Sequence, residues 1–123
     1  MQHSVEFIEL CEAAKKNIHE ISTLEVAAKL KGPLNFCLID VRELAEYKEG
    51  HLPQATHLSR GTIEIHIHKL VNKNQEIILY CGGGNRSALA AESLQKMGYH
   101  NVWSMAGGFK NWLQDQLPVS YSR

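Results

Sequence analysis

Two short apolar runs, each followed by a polar or reactive side chain, limit the folds that this chain can adopt. The first covers residues 36–39 and leads into Asp40, and the second covers residues 77–80 and leads into Cys81. Uninterrupted apolar runs of this length are typical of strands that are covered on both faces, as the strands of a parallel sheet are. A glycine turn and a helical pattern follow the second run. The order strand, turn, helix predicts an α/β fold with a mainly parallel sheet.

Helical patterns precede the first run. Residues 4–17 are amphipathic, with Phe7, Cys11 and Ala14 on one face and lysines at the end, which predicts a helix. We expect this apolar face to pack in the core. Ser22 stands three residues before a glutamate, the spacing of a capping box, and so predicts the start of a second helix.

Further elements follow the second run. Residues 87–97 predict a helix whose apolar stripe includes Leu94 and Met97. Residues 101–103 predict a short strand, and Gly107-Gly108 opens a final helix over residues 109–113.

The length of 123 residues suits a single domain. We expect a helical extension over residues 1–17, one domain over residues 18–117 and a polar tail over residues 118–123.

The charge balance and the cysteine content limit which binding partners and which cellular compartment we expect. Thirteen basic and thirteen acidic side chains balance, so no global charge favours nucleic acid or an acidic membrane surface as a partner. The chain lacks both the basic start of a secretory signal and the roughly 18 apolar residues of a membrane span, and we expect a soluble protein. Three scattered cysteines are too few for a disulfide framework, which favours the reducing cytoplasm.

The segment after the second run carries the clearest chemistry. In open α/β sheets, functional groups gather beyond the carboxyl ends of the strands. Consecutive glycines allow a sharp turn with positive φ whose N–H groups bind an anion, and a following helix N-terminus and an arginine add positive charge. Such surroundings favour the thiolate form of a cysteine. We therefore predict Cys81 as a nucleophile in a cradle formed by Gly82, Gly83, Gly84, Asn85, Arg86 and Ser87.

Four motifs in order resemble the rhodanese-like domain, a single-domain sulfurtransferase, over residues 18–113. They are Asp40-Val41-Arg42-Glu43, Gly50-His51-Leu52-Pro53-Gln54-Ala55, the loop of Tyr80 to Ser87, and the segment of Val102 to Phe109 with Trp112. The resemblance implies a three-layer α/β sandwich with a five-stranded, mainly parallel sheet and helices on both faces, here with an extra N-terminal helix.

The resemblance also implies a reaction. Cys81 would accept a sulfane sulfur from a donor such as thiosulfate, and the loop amides would stabilise the resulting persulfide. Cyanide, a small thiol or a protein thiol would then remove the outer sulfur, with no metal and no organic cofactor. Asp40 and Arg42 match the family pattern, and we expect them to tie the loops together rather than to act on the substrate.

The loop departs from the family pattern of thiosulfate specialists. Such enzymes often carry basic side chains directly after the cysteine, whereas this chain has three glycines. Only backbone amides and Arg86 would attract a dianion. A persulfide carried by a small thiol or a protein is therefore as good a donor as thiosulfate, and the sequence leaves the oligomeric state open.

Other functions fit less well. Cysteine phosphatases use C-x5-R, and four residues separate Cys81 from Arg86, a cradle sized for sulfur rather than for phosphate or arsenate. A dinucleotide site needs an acidic residue about 20 positions after the glycine turn, and residues 93–114 contain none. A phosphate-binding P-loop fails because Arg86-Ser87 stands where Gly-Lys-Ser/Thr is required. A rhodanese-like module that binds a persulfide or a partner without turnover remains the non-enzymatic alternative.

The remaining cysteines and histidines are expected to be structural. We expect Cys11 and Cys37 to be buried and inert, because no glycine loop or cation accompanies them. His66 and His68 would share one face if residues 63–67 were extended, but no further ligand stands at a matching spacing. We therefore expect no metal site.

Overall fold

The two apolar runs form neighbouring strands at the centre of a parallel sheet. The structure, a computed structural model, describes residues 2–121. The five strands pair in the order β1-β5-β4-β2-β3, and every pair is parallel. The strands are β1 (His19–Ile21), β2 (Phe36–Asp40), β3 (Thr56–His57), β4 (Glu76–Tyr80) and β5 (Val102–Met105).

Six helices, counted over residues 2–121, cover the two faces of this sheet. α1 packs against α5 on one face, and α2 contacts α6 on the other. Short 3₁₀ turns at Arg60–Thr62 and Ile67–Lys69 flank α4. The helices are α1 (Val5–Lys15), α2 (Thr23–Leu30), α3 (Leu44–Glu49), α4 (Ile63–His66), α5 (Asn85–Lys96) and α6 (Gly108–Gln114).

Alternate side chains of the central strand enter two separate cores. Ile77 and Leu79 of β4 pack in the cluster that includes Leu94 of α5. Ile78 and Tyr80 pack in the cluster on the opposite face, which includes Trp112 of α6. Both clusters are buried, which is why the strand reads as a continuous apolar run rather than as an alternating one. The predicted α/β fold and the five-stranded sheet are confirmed.

The register of β2 and β4 brings their carboxyl ends to the same edge of the sheet. Asp40 pairs with Tyr80, and the N–H of Val41 donates to the Tyr80 carbonyl oxygen at 2.9 Å. The residue after β4 is Cys81. The Asp40 motif and the cysteine loop therefore lie side by side, as expected of functional groups in a parallel sheet.

Several sequence-based expectations need correction. The condition under which His66 and His68 would share one face of a strand is not met, because residues 63–67 are helical. α5 ends at Lys96, and Met97, expected on the apolar stripe, is 38% exposed. β5 continues to Met105, two residues beyond the predicted end, because it pairs with both β1 and β4.

The described part of the expected C-terminal tail packs on the domain. Ser120 and His51 exchange two backbone hydrogen bonds, of 2.8 and 2.9 Å, and the indole N–H of Trp112 donates to the Pro118 carbonyl oxygen at 2.8 Å. Residues 122 and 123 of the expected tail, and residue 1 of the expected extension, lie outside the described residues. Within residues 2–121, no helix is long and apolar enough to cross a membrane.

Candidate active site

The Cys81 side chain sits inside the turn that joins β4 to α5. The backbone N–H of Gly84 donates to Cys81 Sγ at 3.0 Å. Gly84 adopts a φ of 99°, in the left-handed region, and caps the N-terminus of α5. Gly82 and Gly83 do not have positive φ, so the expectation of a left-handed run of glycines is wrong. A single left-handed residue is enough to turn the chain and aim an amide at the sulfur.

Two buried hydroxyl groups lie behind the sulfur. Ser87 Oγ is 3.5 Å from Cys81 Sγ and 2.8 Å from Ser104 Oγ. Both serines are fully buried, and Cys81 itself is only 1% exposed. Buried hydroxyl groups require hydrogen-bond partners, and these two serines supply each other with one. The pair thereby holds the core-facing side of the Cys81 sulfur in place. Ser104, on β5, was not expected from the sequence, because its contact with Ser87 spans two separate elements.

Two backbone hydrogen bonds join the start of α6 to the cysteine loop. The Cys81 carbonyl oxygen accepts from the N–H of Phe109 at 2.8 Å, and the Gly82 carbonyl oxygen accepts from the N–H of Lys110 at 3.0 Å. Gly108 lies so close that a methyl group there would be 2.5 Å from the Cys81 carbonyl oxygen. Because α6 binds these two carbonyl oxygens, the loop is held with the Gly84 N–H directed at the cysteine sulfur.

Arg86 is paired with a carboxylate of α3. Its Nη1 and Nη2 lie 3.0 and 3.3 Å from the two carboxylate oxygens of Glu46. The hydrogen bond from Arg86 lowers the pKa of Glu46, and the same bond raises the pKa of Arg86. The expectation that Arg86 adds a full positive charge to the cradle is therefore corrected: the guanidinium beside the loop is matched by a negative partner.

Asp40 and Arg42 form a buried network beside the loop. Arg42 Nη2 donates to Asp40 Oδ2 and to the Gly50 carbonyl oxygen, both at 2.7 Å, and the Tyr80 hydroxyl donates to Asp40 Oδ2 at 2.6 Å. Burial, then the Asp40 carboxylate, raises the pKa of Tyr80 well above its ordinary value, so the hydroxyl keeps its proton. The same hydroxyl accepts from the N–H of Leu52 at 3.0 Å. The network joins the ends of β2 and β4 to residues 50–52.

An open cavity of about 570 Å³ leads to the cysteine. Its walls come from the cysteine loop, from α3 and from the start of the chain. Phe7, expected to pack in the core with Cys11 and Ala14, is only half-buried and forms part of the wall. The lining residues are His3, Phe7, Glu43, Glu46, Cys81, Gly83, Asn85 and Arg86.

Sequence reasoning missed the two acidic side chains as lining residues. Glu43 and Glu46 follow β2 at the edge of the sheet where Cys81 follows β4. Glu46 Oε1 accepts from the N–H of Glu43 at 3.0 Å, half of the capping pattern that begins α3. The Glu-x-x-Glu spacing directly after the first apolar run was the signal that could have revealed them.

The other two cysteines have a different environment. Cys11 is buried and Cys37 is half-buried, so the expectation of full burial does not hold for Cys37. Burial raises the pKa of both thiols, which disfavours their reactive thiolate forms. Between residues 2 and 121, no group of three histidine, cysteine or acidic side chains could hold a metal ion.

The family follows from comparison with known proteins. The model of the rhodanese-like domain matches residues 22–115, which include the cysteine loop, the Asp40 network and α6. The chain therefore belongs to the rhodanese-like family and consists of one such domain with an additional N-terminal helix.

Individual relatives carry related names. The thiosulfate sulfurtransferase GlpE of Coxiella burnetii is 33% identical over 93 residues, which are 76% of this chain and 85% of that protein. YrkF of Bacillus subtilis, provisionally named a sulfur carrier protein, is 33% identical over 96 residues, and the chain spans about half (51%) of its length. A solved structure from Rhodopseudomonas palustris, described as a protein of unknown function and a possible tyrosine phosphatase, has a TM-score of 0.84 at 27% identity. That match covers 98% of this chain and 99% of the other.

The contact between α6 and the cysteine loop can be tested by substitution. Gly108→Ala places a methyl group against the Cys81 carbonyl at a φ of 59°, and we expect it to destabilise the protein by about 2–4 kcal/mol in urea unfolding. Gly61→Ala is the matched control, because nothing lies within 4 Å of the added methyl group. Equal stability of the two variants would contradict the close packing of α6 on the loop.

Proposed function

We propose that this protein is a sulfurtransferase that carries a sulfane sulfur as a persulfide on Cys81. The observation that carries the proposal is the 3.0 Å contact between the Gly84 N–H and Cys81 Sγ at the end of an open cavity. A backbone amide aimed at a sulfur stabilises negative charge there without any movement during the reaction. The names of relatives such as GlpE support the same class of reaction.

Loading begins with attack by the Cys81 thiolate on the sulfane sulfur of the donor. With thiosulfate, a new S–S bond forms to Cys81, the bond between the two donor sulfurs breaks, and sulfite leaves with its electron pair. The total charge of the reacting species, minus three, is the same before and after this step. The outer sulfur of the persulfide then carries the negative charge that the loop amides would stabilise.

In the unloading step, the Cys81 sulfur is the leaving group instead of the nucleophile. The persulfide first takes up a proton from solvent. An acceptor thiolate then attacks its outer sulfur, a new S–S bond forms on the acceptor, which keeps this proton or returns it to solvent, and Cys81 leaves as a thiolate. Cyanide would take the sulfur in the same way and leave as thiocyanate. Neither step as written uses a metal or an organic cofactor.

The surrounding residues divide into two groups in this proposal. Gly82, Gly83 and Gly84 contribute backbone, Asn85 and Arg86 line the entrance, and Ser87 contacts the sulfur from the core side. Asp40 and Arg42 point into their own buried network and not into the cavity, so we assign them a supporting role. The three free cysteines suit a reducing compartment, and we propose the cytoplasm.

Two other functions make different predictions. A rhodanese-like module that only binds a persulfide or a partner would load once and not turn over. A cysteine phosphatase has one observation in its favour, the description of the Rhodopseudomonas palustris relative, whereas no observation favours an arsenate reductase. Against it stands the length of the loop, since only Gly82-Gly83-Gly84-Asn85 separates Cys81 from Arg86.

The intact mass of the protein tests the proposed intermediate. After exposure to thiosulfate or to a small-molecule persulfide, we expect wild type to gain the mass of one sulfur and to lose it on addition of cyanide, with repeated turnover when both are present. Cys81→Ala should gain nothing, and the matched variant Cys37→Ala should behave as wild type. Loading without turnover would favour the binding module, and no loading with any donor would refute the proposal.

A phosphatase assay separates sulfur from phosphate chemistry. With a generic aryl phosphate, we expect wild type to hydrolyse no more substrate than Cys81→Ser, because a four-residue spacing closes too small a loop for a tetrahedral phosphate. Release of the phenol that depends on Cys81 would contradict this expectation and support the phosphatase alternative.

A further inference from the structure

The cavity above Cys81 is larger and more acidic than an inorganic sulfur donor requires. Building on the proposed sulfurtransferase function, we propose that this cavity selects organic thiols and persulfides that carry a cationic group close to the sulfur, with Glu43 and Glu46 as the specificity-determining residues. The shared chemistry is a thiol flanked by an ammonium or guanidinium group. Such a group occurs in small aminothiols and in peptides that have a basic residue next to cysteine.

The first argument is size. A cavity of about 570 Å³ falls within the range of roughly 300–1,000 Å³ that is typical of sites for organic ligands. At roughly 30 Å³ for each water molecule, it would hold about nineteen waters, whereas thiosulfate is an ion of five heavy atoms. The volume that a small inorganic ion leaves empty is available to the carbon framework of an organic donor or acceptor.

The second argument is charge. Two carboxylates, one guanidinium and the imidazole of His3 line the cavity, and the guanidinium of Arg86 is already paired with Glu46. For Glu43, no ion pair is found among residues 2–121. A cleft lined by an excess of one sign raises the local concentration of ligands of the opposite sign. The excess here is negative, which disfavours a free dianion and favours a cation.

The third argument is the aromatic part of the cavity lining. Phe7 lines the cavity, and the ring of His3 packs on it with centroids 4.9 Å apart. Aromatic side chains bury the apolar stem of a ligand while its charged end remains near the polar side. The cavity lining therefore combines aromatic rings, carboxylates and the Cys81 sulfur, which together match a thiol on a short carbon stem that bears a cation.

The acidic side chains need not disturb the transferred sulfur. The Cys81 sulfur contacts the Gly84 N–H and the Ser87 hydroxyl, whereas Glu46 is held by Arg86. A negative outer sulfur would be stabilised by backbone amides at the bottom of the cavity, and the cationic group of the ligand by carboxylates on its side. The separation of these two interactions allows one site to bind a ligand that carries both charges.

A pair of charged thiol reagents tests this selectivity without any sulfur transfer. The 2-aminoethyl and 2-sulfonatoethyl methanethiosulfonates carry opposite charges and form a disulfide with cysteine by the same displacement, with methanesulfinate as the leaving group. We would measure the rate of modification of the Cys81 peptide by mass spectrometry and divide the ammonium rate by the sulfonate rate. N-acetylcysteine, treated in the same way, supplies the reference ratio.

We expect the ratio for wild type to exceed the reference ratio and to fall about fivefold in Glu43→Gln, because one unit of negative charge is lost from the cavity. Glu46→Gln should lower the ratio further, since it also releases the charge of Arg86. Glu49→Gln is the matched control: it makes the same change on the same helix outside the cavity and should leave the ratio unaltered. An unchanged ratio in Glu43→Gln, or a Cys81 that neither reagent modifies, would overturn the proposal.

The sulfur-loaded protein distinguishes the two sources of such a thiol. Discharge by cysteamine would be compared with discharge by 3-mercaptopropionate, and discharge by the peptide Lys-Cys-Lys with discharge by Glu-Cys-Glu, each rate divided by the thiolate concentration. Faster discharge by cysteamine than by Lys-Cys-Lys would assign the site to small aminothiols, and the reverse would assign it to peptide segments. Equal rates within both charge pairs would overturn the selectivity. If loading fails but the reagent ratios behave as expected, the sulfurtransferase function falls and the selectivity of the cavity stands.

Discussion

The hydrogen bonds between the start of α6 and the cysteine loop are the interaction on which the site depends. The carbonyl oxygens of Cys81 and Gly82 accept from the N–H groups of Phe109 and Lys110, so these two oxygens, which would repel an anionic sulfur, are held by α6. A left-handed Gly84 then directs its N–H at Cys81 Sγ. Because α6 packs on the sheet through the fully buried Trp112, the geometry of the loop is set by the core rather than by the loop itself.

In the same arrangement, positive and negative charge are distributed unevenly around the cysteine. The backbone N–H of Gly84 donates to the sulfur, and the guanidinium of Arg86 is paired with the carboxylate of Glu46. Amides in a fixed position stabilise a developing anion without reorganising during the reaction. Carboxylates can therefore line the same cavity. In the proposed selectivity, they repel inorganic anions without disturbing the chemistry at the sulfur.

Sequence patterns predict the centre of this structure well and its periphery poorly. The apolar runs before Asp40 and Cys81 identify the central strands because burial on both faces leaves no alternation, and the glycine loop points to Cys81 as the proposed nucleophile because its chemistry is local. The pairing of Arg86 with Glu46, the contact of Ser87 with Ser104 and the cavity wall at Phe7 depend on elements that are distant in sequence. No local pattern reports such distances, and helical spacing alone assigned Phe7 to the core.

A crystal structure of the protein after exposure to thiosulfate or a small-molecule persulfide tests the central claim most directly. We predict one additional sulfur bonded to Cys81 Sγ, directed into the loop and within hydrogen-bond distance of backbone N–H groups between Gly82 and Arg86. An additional sulfur that points out of the loop toward the Arg86 guanidinium, or that is found on Cys11 or Cys37 instead, would contradict the account.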